Sequence, residues 1–146
     1  MKYEQTLFLA DNWDDYALLD SGDGLKRERF ASQTVIRPDP QAFWRPRQPV
    51  DTWKADAWFD AKAGDDERGQ WRRLNPKAPD TWPMTWEGLT FEARRTPFRH
   101  MGVFQEHSVH WAFAKDQLRK AGRPAKVLNL FGYTGLMSLA CAQASD

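Results

Sequence analysis

The residues with the most chemical potential in this 146-residue chain lie close to its end. Lys126 to Gly135 reads KVLNLFGYTG, an apolar run with one polar residue, Asn129, that breaks at Gly132-Tyr133-Thr134-Gly135 before the small-residue run LMSLACAQA. The pattern predicts a buried strand over Val127 to Phe131, a tight glycine turn and then a helix. In an open parallel sheet such a strand delivers its loop to the carboxyl edge, where free N–H groups at a helix start face a ligand. A cofactor is therefore expected here, although a merely tight α/β turn has the same pattern. The spacing Gly132-x-x-Gly135 is not the dinucleotide fingerprint, which needs three glycines and an acidic residue about 20 residues on.

Other reactive side chains form less complete sets. His107 and His110, beside Glu106, could share a helix face and bind zinc, but no further ligand and no cysteine pair accompanies them. Capping and surface roles are the expectation there, and no metal is expected. Asp20 to Gly24 places acids among glycines but lacks the downstream glutamate of a calcium loop. Cys141, the one cysteine, sits in LACAQA as a small helix residue; alone it forms no internal disulfide and suits a reducing compartment.

The elements that must position these residues start with a hairpin. Tyr16 to Asp20 and Leu25 to Phe30 flank Ser21-Gly22-Asp23-Gly24, a turn able to take positive φ. Thr34 to Arg37 is a third strand, ended by Pro38 and Pro40. Pro38, Pro40, Pro46 and Pro49 then prevent regular structure, so Phe43, Trp44, Arg45 and Arg47 lie on an extended crossing packed on the sheet. Aromatic and basic residues interleaved in this way are also suited to stacking on bases and meeting phosphates. Asp51 to Phe59 fits either a short helix or an irregular run, and Ala63 to Gly69 reads as a solvated turn. Trp71 to Leu74 is a strand, and Met84 to Trp86 with Leu89 to Arg94 forms a second hairpin around Glu87-Gly88. Arg94, Arg95 and Arg99 precede a glycine-bearing turn at Gly102 and a helix over about Glu106 to Ala121. Val109, Ala112, Phe113 and Leu118, with Trp111, give that helix an apolar face, and Gly122 and Pro124 stop it.

Composition bounds the class. With 41% hydrophobic and 14% aromatic residues the chain can build a core, and its eight tryptophans serve mainly as packing. A net charge of +1 gives no global electrostatic attraction to nucleic acid or membrane, so any basic surface is local. The start, MKYEQTLFLADNWDD, lacks a signal-peptide core, and no apolar run is long enough to span a bilayer. The expectation is a soluble, cytoplasmic protein.

Two stretches together, FEARRTPFRHMGVFQEHSVHW and KVLNLFGYTGLMSLACAQA, resemble the class I S-adenosylmethionine-dependent methyltransferases, in particular the 23S ribosomal RNA (cytosine-C5) methyltransferase group. That group carries a turn-helix of the form G-x-F-x-x-Q or E before a first Rossmann-like strand ending N-L-F-x-Y-T-G. Its β-rich leader is similar to YALLDSGDGLKRERF. The resemblance implies a fold of α+β leading into α/β: a β-rich N-terminal domain over residues 1–98, then the first strand and helix of a Rossmann-like domain over residues 99–146.

It also implies the site. Asn129, Phe131, Gly132, Tyr133, Thr134 and Gly135 would form the cofactor loop, with Gly102, Phe104 and Glu106 across the S-adenosyl-L-methionine from it. Gln105-Glu106-His107 departs from the family's usual proline, acid or amide, and glutamine, which puts the role of Glu106 in question. The acidic strand end and the Asp-Pro-Pro element of the family are absent. The chain thus reads as the N-terminal fragment of an RNA methyltransferase, inactive alone, and no catalytic residue is assigned. The alternative is a non-catalytic RNA-binding module gripping through Arg94, Arg95, Arg99, Arg45 and Arg47. Without neighbours, the strand at Val127 to Phe131 would also be open to pairing with a second copy.

Overall fold

The computed structural model describes residues 7–10 and 13–144. Residues 1–6, 11, 12, 145 and 146, which the expected domain limits include, lie outside the described residues. The chain divides into two compact units, one of residues 13–103 and one of the residues from 104 on together with residues 7–10.

The first unit is a five-stranded sheet in the order β1 (Tyr16–Gly22), β2 (Leu25–Phe30), β3 (Gln33–Pro38), β4 (Ala57–Lys62) and β5 (Asp65–Arg73), with a separate hairpin of β6 (Thr81–Trp86) and β7 (Leu89–Arg94). Neighbours are antiparallel except β3 and β4, which run parallel. Two-residue turns close the hairpins. Asp23 and Gly24 have φ of 51° and 75°, and Glu87 and Gly88 have 42° and 84°. Both central residues are left-handed, matching the right-handed twist of the flanking strands. β6 then alternates, burying Trp82, Met84 and Trp86 and exposing the residues between.

A buried ion pair occupies the interior. Glu28 on β2 is 0% exposed and Arg37 on β3 is 3% exposed. Glu28 faces Val35 across the ladder, so Arg37 is its diagonal neighbour on the same face. Arg37 Nε donates to Glu28 Oε2 at 2.6 Å and Nη2 to Oε1 at 2.9 Å, and the Tyr16 hydroxyl donates to Oε1 at 2.9 Å. The guanidinium also donates to the Arg99 carbonyl at 3.2 Å and lies 5.5 Å from the centre of the Phe30 ring.

The proline-laden crossing from β3 to β4 is held by a second carboxylate. Asp20 accepts the backbone N–H groups of Ser21 (2.9 Å), Arg47 (3.0 Å) and Gln48 (3.0 Å) and the indole N–H of Trp53 (3.2 Å). Prolines cannot donate, and the N–H groups between them have no ladder to join, so a side-chain acceptor takes that place.

The sequence reading needs correction in places. Asp51 to Phe59 is a single 3-10 turn at Val50–Thr52 followed by the start of β4. Of Ala63 to Gly69 only Ala63-Gly64 is a turn; the acidic residues after it begin β5, because β4 continues to Lys62 and offers them a ladder across a bulge.

In the second unit a 3-10 turn at Gln105–His107 leads into α1 (Ser108–Ala121), which ends at left-handed Gly122 with φ 60°. Its inward face is Ser108, Trp111 and Lys115, whereas Ala112 and Phe113, expected inside, are exposed. Lys115 takes a core position because its ammonium donates to Gln143 Oε1 at 2.8 Å on α2 (Leu136–Gln143). The Rossmann-like strand expected over Val127 to Phe131 is not formed: the segment is irregular, with Leu128 and Phe131 largely exposed. A strand this apolar requires ladder partners, and no described segment runs beside it.

The four hydrogen bonds to Asp20 outweigh its desolvation and leave its pKa below the ordinary 3.8. A lowered carboxylate stabilises the fold above its ordinary value and loses that contribution as pH falls through the lowered one. Asp20→Asn is therefore expected to destabilise the β unit by about 1–3 kcal/mol at neutral pH. In urea melts repeated at falling pH, the gap to wild type should narrow below about pH 4; parallel acid curves would contradict this role for Asp20.

Candidate cofactor site

The turn at the end of the apolar run is built from backbone conformation. Tyr133 and Gly135 are both left-handed, at φ 47° and 89°, and the Gly135 N–H donates to the Gly132 carbonyl at 2.7 Å. Gly135 is the residue before α2, and its carbonyl accepts the Leu139 N–H at 3.0 Å, starting the helix. The two glycines are not equivalent. A Cβ on Gly132 would meet nothing nearer than Asn129 Nδ2, at 3.7 Å; one on Gly135 would meet no atom but would carry the strain of its φ.

This turn forms one wall of a cleft of about 440 Å³, lined by Phe131, Gly132, Tyr133 and Thr134 on one side and by Phe104, His107 and Trp111 on the other. The Phe104 and Tyr133 ring centres are 4.8 Å apart with planes inclined at 45°, and Phe104 also meets His107 at 5.4 Å. Phe131 is 94% exposed, so the cleft is open along the apolar run. No carboxylate lines it among the described residues. Its volume is that of a small-molecule site, and its walls combine the aromatic rings and His107 with Leu130, Leu136 and Met137.

The expected site residues are distributed as follows. Phe104, Phe131, Gly132, Tyr133 and Thr134 come together in this cleft, and Gly135 supports it from the start of α2. Asn129 points elsewhere: its amide donates to Ser138 Oγ at 3.0 Å, tying the run to α2. Glu106 is exposed on the 3-10 turn and is not among the lining residues. Gly102, left-handed at φ 82°, belongs to the other unit. His107 and Trp111 line the cleft although the sequence reading gave them no such role. Their spacing from Phe104, three and then four residues, is the signal that would have found them.

The arginines expected to meet RNA also separate. Arg94 is exposed and pairs with Glu92 at 2.8 Å. Arg95 is a structural residue: its side chain is buried, donates to the carbonyls of Ala78 (3.1 Å) and Pro79 (2.5 Å), and lies 6.0 Å from the Trp82 ring centre. Arg99 pairs with Glu67, which also holds His100 Nε2 at 2.7 Å. Burial depresses the His100 pKa below 6.5, and the nearby arginines add to this against the opposing pull of Glu67. No group of His, Cys, Asp and Glu suited to a metal occurs among the described residues, and no helix among them is long and apolar enough to cross a membrane.

No protein-family model and no curated protein matches the chain. Among solved structures, a crystal structure from Agrobacterium tumefaciens matches with a TM-score of 0.83 and 47% identity, over 92% of this chain and 42% of that one. That neighbour is a SAM-dependent methyltransferase. The likeness supports the class I S-adenosylmethionine-dependent methyltransferase family that the two sequence stretches resemble, and a methyltransferase-like α/β fold. It does not single out the ribosomal RNA group. This chain spans less than half of the neighbour's length.

The inequality of the two glycines is measurable. Gly135→Val should cost about 1–3 kcal/mol through its left-handed backbone, read as faster amide exchange across α2, while Gly132→Ala stays within about 0.5 kcal/mol of wild type. Equal losses at both positions would contradict the turn geometry.

Proposed function

We propose that this chain carries part of the cofactor pocket of an S-adenosylmethionine-dependent methyltransferase whose acceptor is RNA, a cytosine of ribosomal RNA being the acceptor that the sequence resemblance favours. The observation that carries the reading is the cleft between Phe104 and Phe131–Thr134, in a chain 47% identical to a SAM-dependent methyltransferase over nearly its whole length. In this reading residues 1–98 form the β-rich domain, residues 99–146 carry the first part of the cofactor domain, and a chain that spans 42% of the methyltransferase it matches is inactive alone.

The residues present fit such a cofactor. Aromatic faces at Phe104, Phe131 and Tyr133 attract a cation as well as an adenine ring, and a sulfonium carries the one positive charge that transfer requires. Backbone polar groups at the Gly132–Gly135 turn suit hydroxyl and carboxylate groups. When bound, S-adenosylmethionine supplies an activated methyl, so the protein need provide no nucleophile or metal of its own. Phe104 and Tyr133 would orient the donor, and buried Trp111 would exclude water from the floor of the cleft. A second reading, a non-catalytic RNA-binding module, is favoured by Arg45 and Arg47, which are exposed and form no ion pair among the described residues.

Calorimetric titration with S-adenosylmethionine tests the first reading. Micromolar binding that Phe104→Ala weakens by about tenfold or more, equivalent to about 1.4 kcal/mol, is the expected result. No binding to a chain shown by circular dichroism to be folded would remove this cleft as a site that works by itself and leave the RNA-binding reading.

A further inference from the structure

The second reading leaves open which surface would touch a nucleic acid, and Arg95 is excluded by its burial. A different surface has the required features. On the crossing between β3 and β4, Phe43 is 88% exposed and Trp44 half-exposed, their ring centres 5.7 Å apart and their planes at 65°. Large apolar rings so placed bury little of their own surface, which calls for an explanation from outside the core. Arg45 and Arg47 follow at alternate positions, both exposed and without an ion pair among the described residues.

The segment is held firmly in spite of its exposure. The Trp44 indole N–H donates to the Ser21 carbonyl at 2.9 Å and lies 3.2 Å from its hydroxyl. The Asp23 and Gly24 N–H groups donate to the Trp44 and Ala42 carbonyls, each at 2.8 Å. Asp20 grips the N–H groups of Arg47 and Gln48. Its buried carboxylate forms no ion pair with Arg45 or Arg47 among the described residues, so both guanidinium groups keep their donors open. Gly22 admits the closest approach: a Cβ there would lie 2.3 Å from Pro46 N. Beside Trp44, Arg45 and Arg47 opens a cleft of about 330 Å³ whose other wall is Leu18, Leu19, Asp20 and Ser21. Rigid aromatic faces with cations at their side lose little entropy on binding.

We propose that Phe43, Trp44, Arg45 and Arg47 form a stacking platform for single-stranded nucleic acid. Bases stack on the two rings and the arginines meet the flanking phosphates, the arrangement by which single strands are bound without reading their sequence. RNA is the expected source, and for that choice alone the proposal rests on the RNA reading above. An apolar peptide would use the rings but leave the arginines without counter-charges, which makes it the less complementary occupant.

The test is fluorescence anisotropy of the full chain with a labelled single-stranded oligouridine, its DNA counterpart and a duplex of the same length, in the absence of S-adenosylmethionine. Single strands should bind better than the duplex, and Phe43→Ala should weaken single-strand binding about 5- to 150-fold. Arg45→Gln and Arg47→Gln should each lower the slope of log K against log salt by about 0.7. Tighter binding of RNA than of DNA supports RNA as the source; equal binding supports the platform but removes the 2′-hydroxyl from its recognition. Affinity unchanged in Phe43→Ala, or equal for the duplex, would overturn the proposal. Because Phe43 is exposed, its truncation leaves the fold intact, which circular dichroism checks. Because the donor is absent, failure here is separate from failure of the cofactor reading.

Discussion

The β unit depends on an ion pair that tolerates no half measures. Glu28 and Arg37 are withdrawn from water together, and each supplies what the other requires: the carboxylate takes two guanidinium donors and the Tyr16 hydroxyl, and the guanidinium reaches on to the Arg99 carbonyl. Removing one member would strand a buried charge at a cost of about 3–5 kcal/mol, whereas replacing both by apolar side chains of similar volume need cost little. The pair joins β1, β2 and β3 to the segment after β7, so the strands that carry the aromatic crossing share one interior with the chain leading to Gly102.

The same accounting of polar groups explains the contrast between two irregular stretches. The crossing from β3 to β4 has too many prolines for a ladder, yet it is fixed, because Asp20 and the Asp23-Gly24 turn accept from or donate to its backbone and the Ser21 carbonyl accepts the Trp44 indole N–H. The run Val127 to Phe131 has the composition of a central strand but no strand beside it among the described residues, and its apolar side chains lie on the surface. Tightness returns at Gly132–Gly135, where the turn closes on itself and α2 begins. The candidate cleft thus rests on a self-contained turn and a helix start rather than on a sheet edge.

What was legible in the sequence was what is decided locally. Asp23-Gly24 and Glu87-Gly88 mark their hairpins because left-handed backbone at a two-residue turn is a local demand, and Gly122 stops α1 for the same reason. Long-range partners were not legible. The inward face of α1 turns on Lys115 finding Gln143, 28 residues away. Arg95 looked like a free cation until the Ala78 and Pro79 carbonyls and the Trp82 ring were seen to hold it. The extent of β5 and the missing strand at Val127 both follow from which segments are present to pair. In the candidate site, the loop motif named four residues that line one cleft and the turn-helix motif a fifth, Phe104, but His107 and Trp111 beside Phe104 emerged only once the helix start was in place.

The account's central claim is that the Phe131–Gly135 turn and Phe104 together receive a methyl donor. The most direct test is a residue-resolved NMR titration of the isotope-labelled chain with S-adenosylmethionine. Amide shifts concentrated at Phe104, His107 and Phe131 to Leu136, saturating together, are what this account predicts. Shifts confined to residues 13–103, or none in a chain whose spectrum is that of a folded protein, would contradict it.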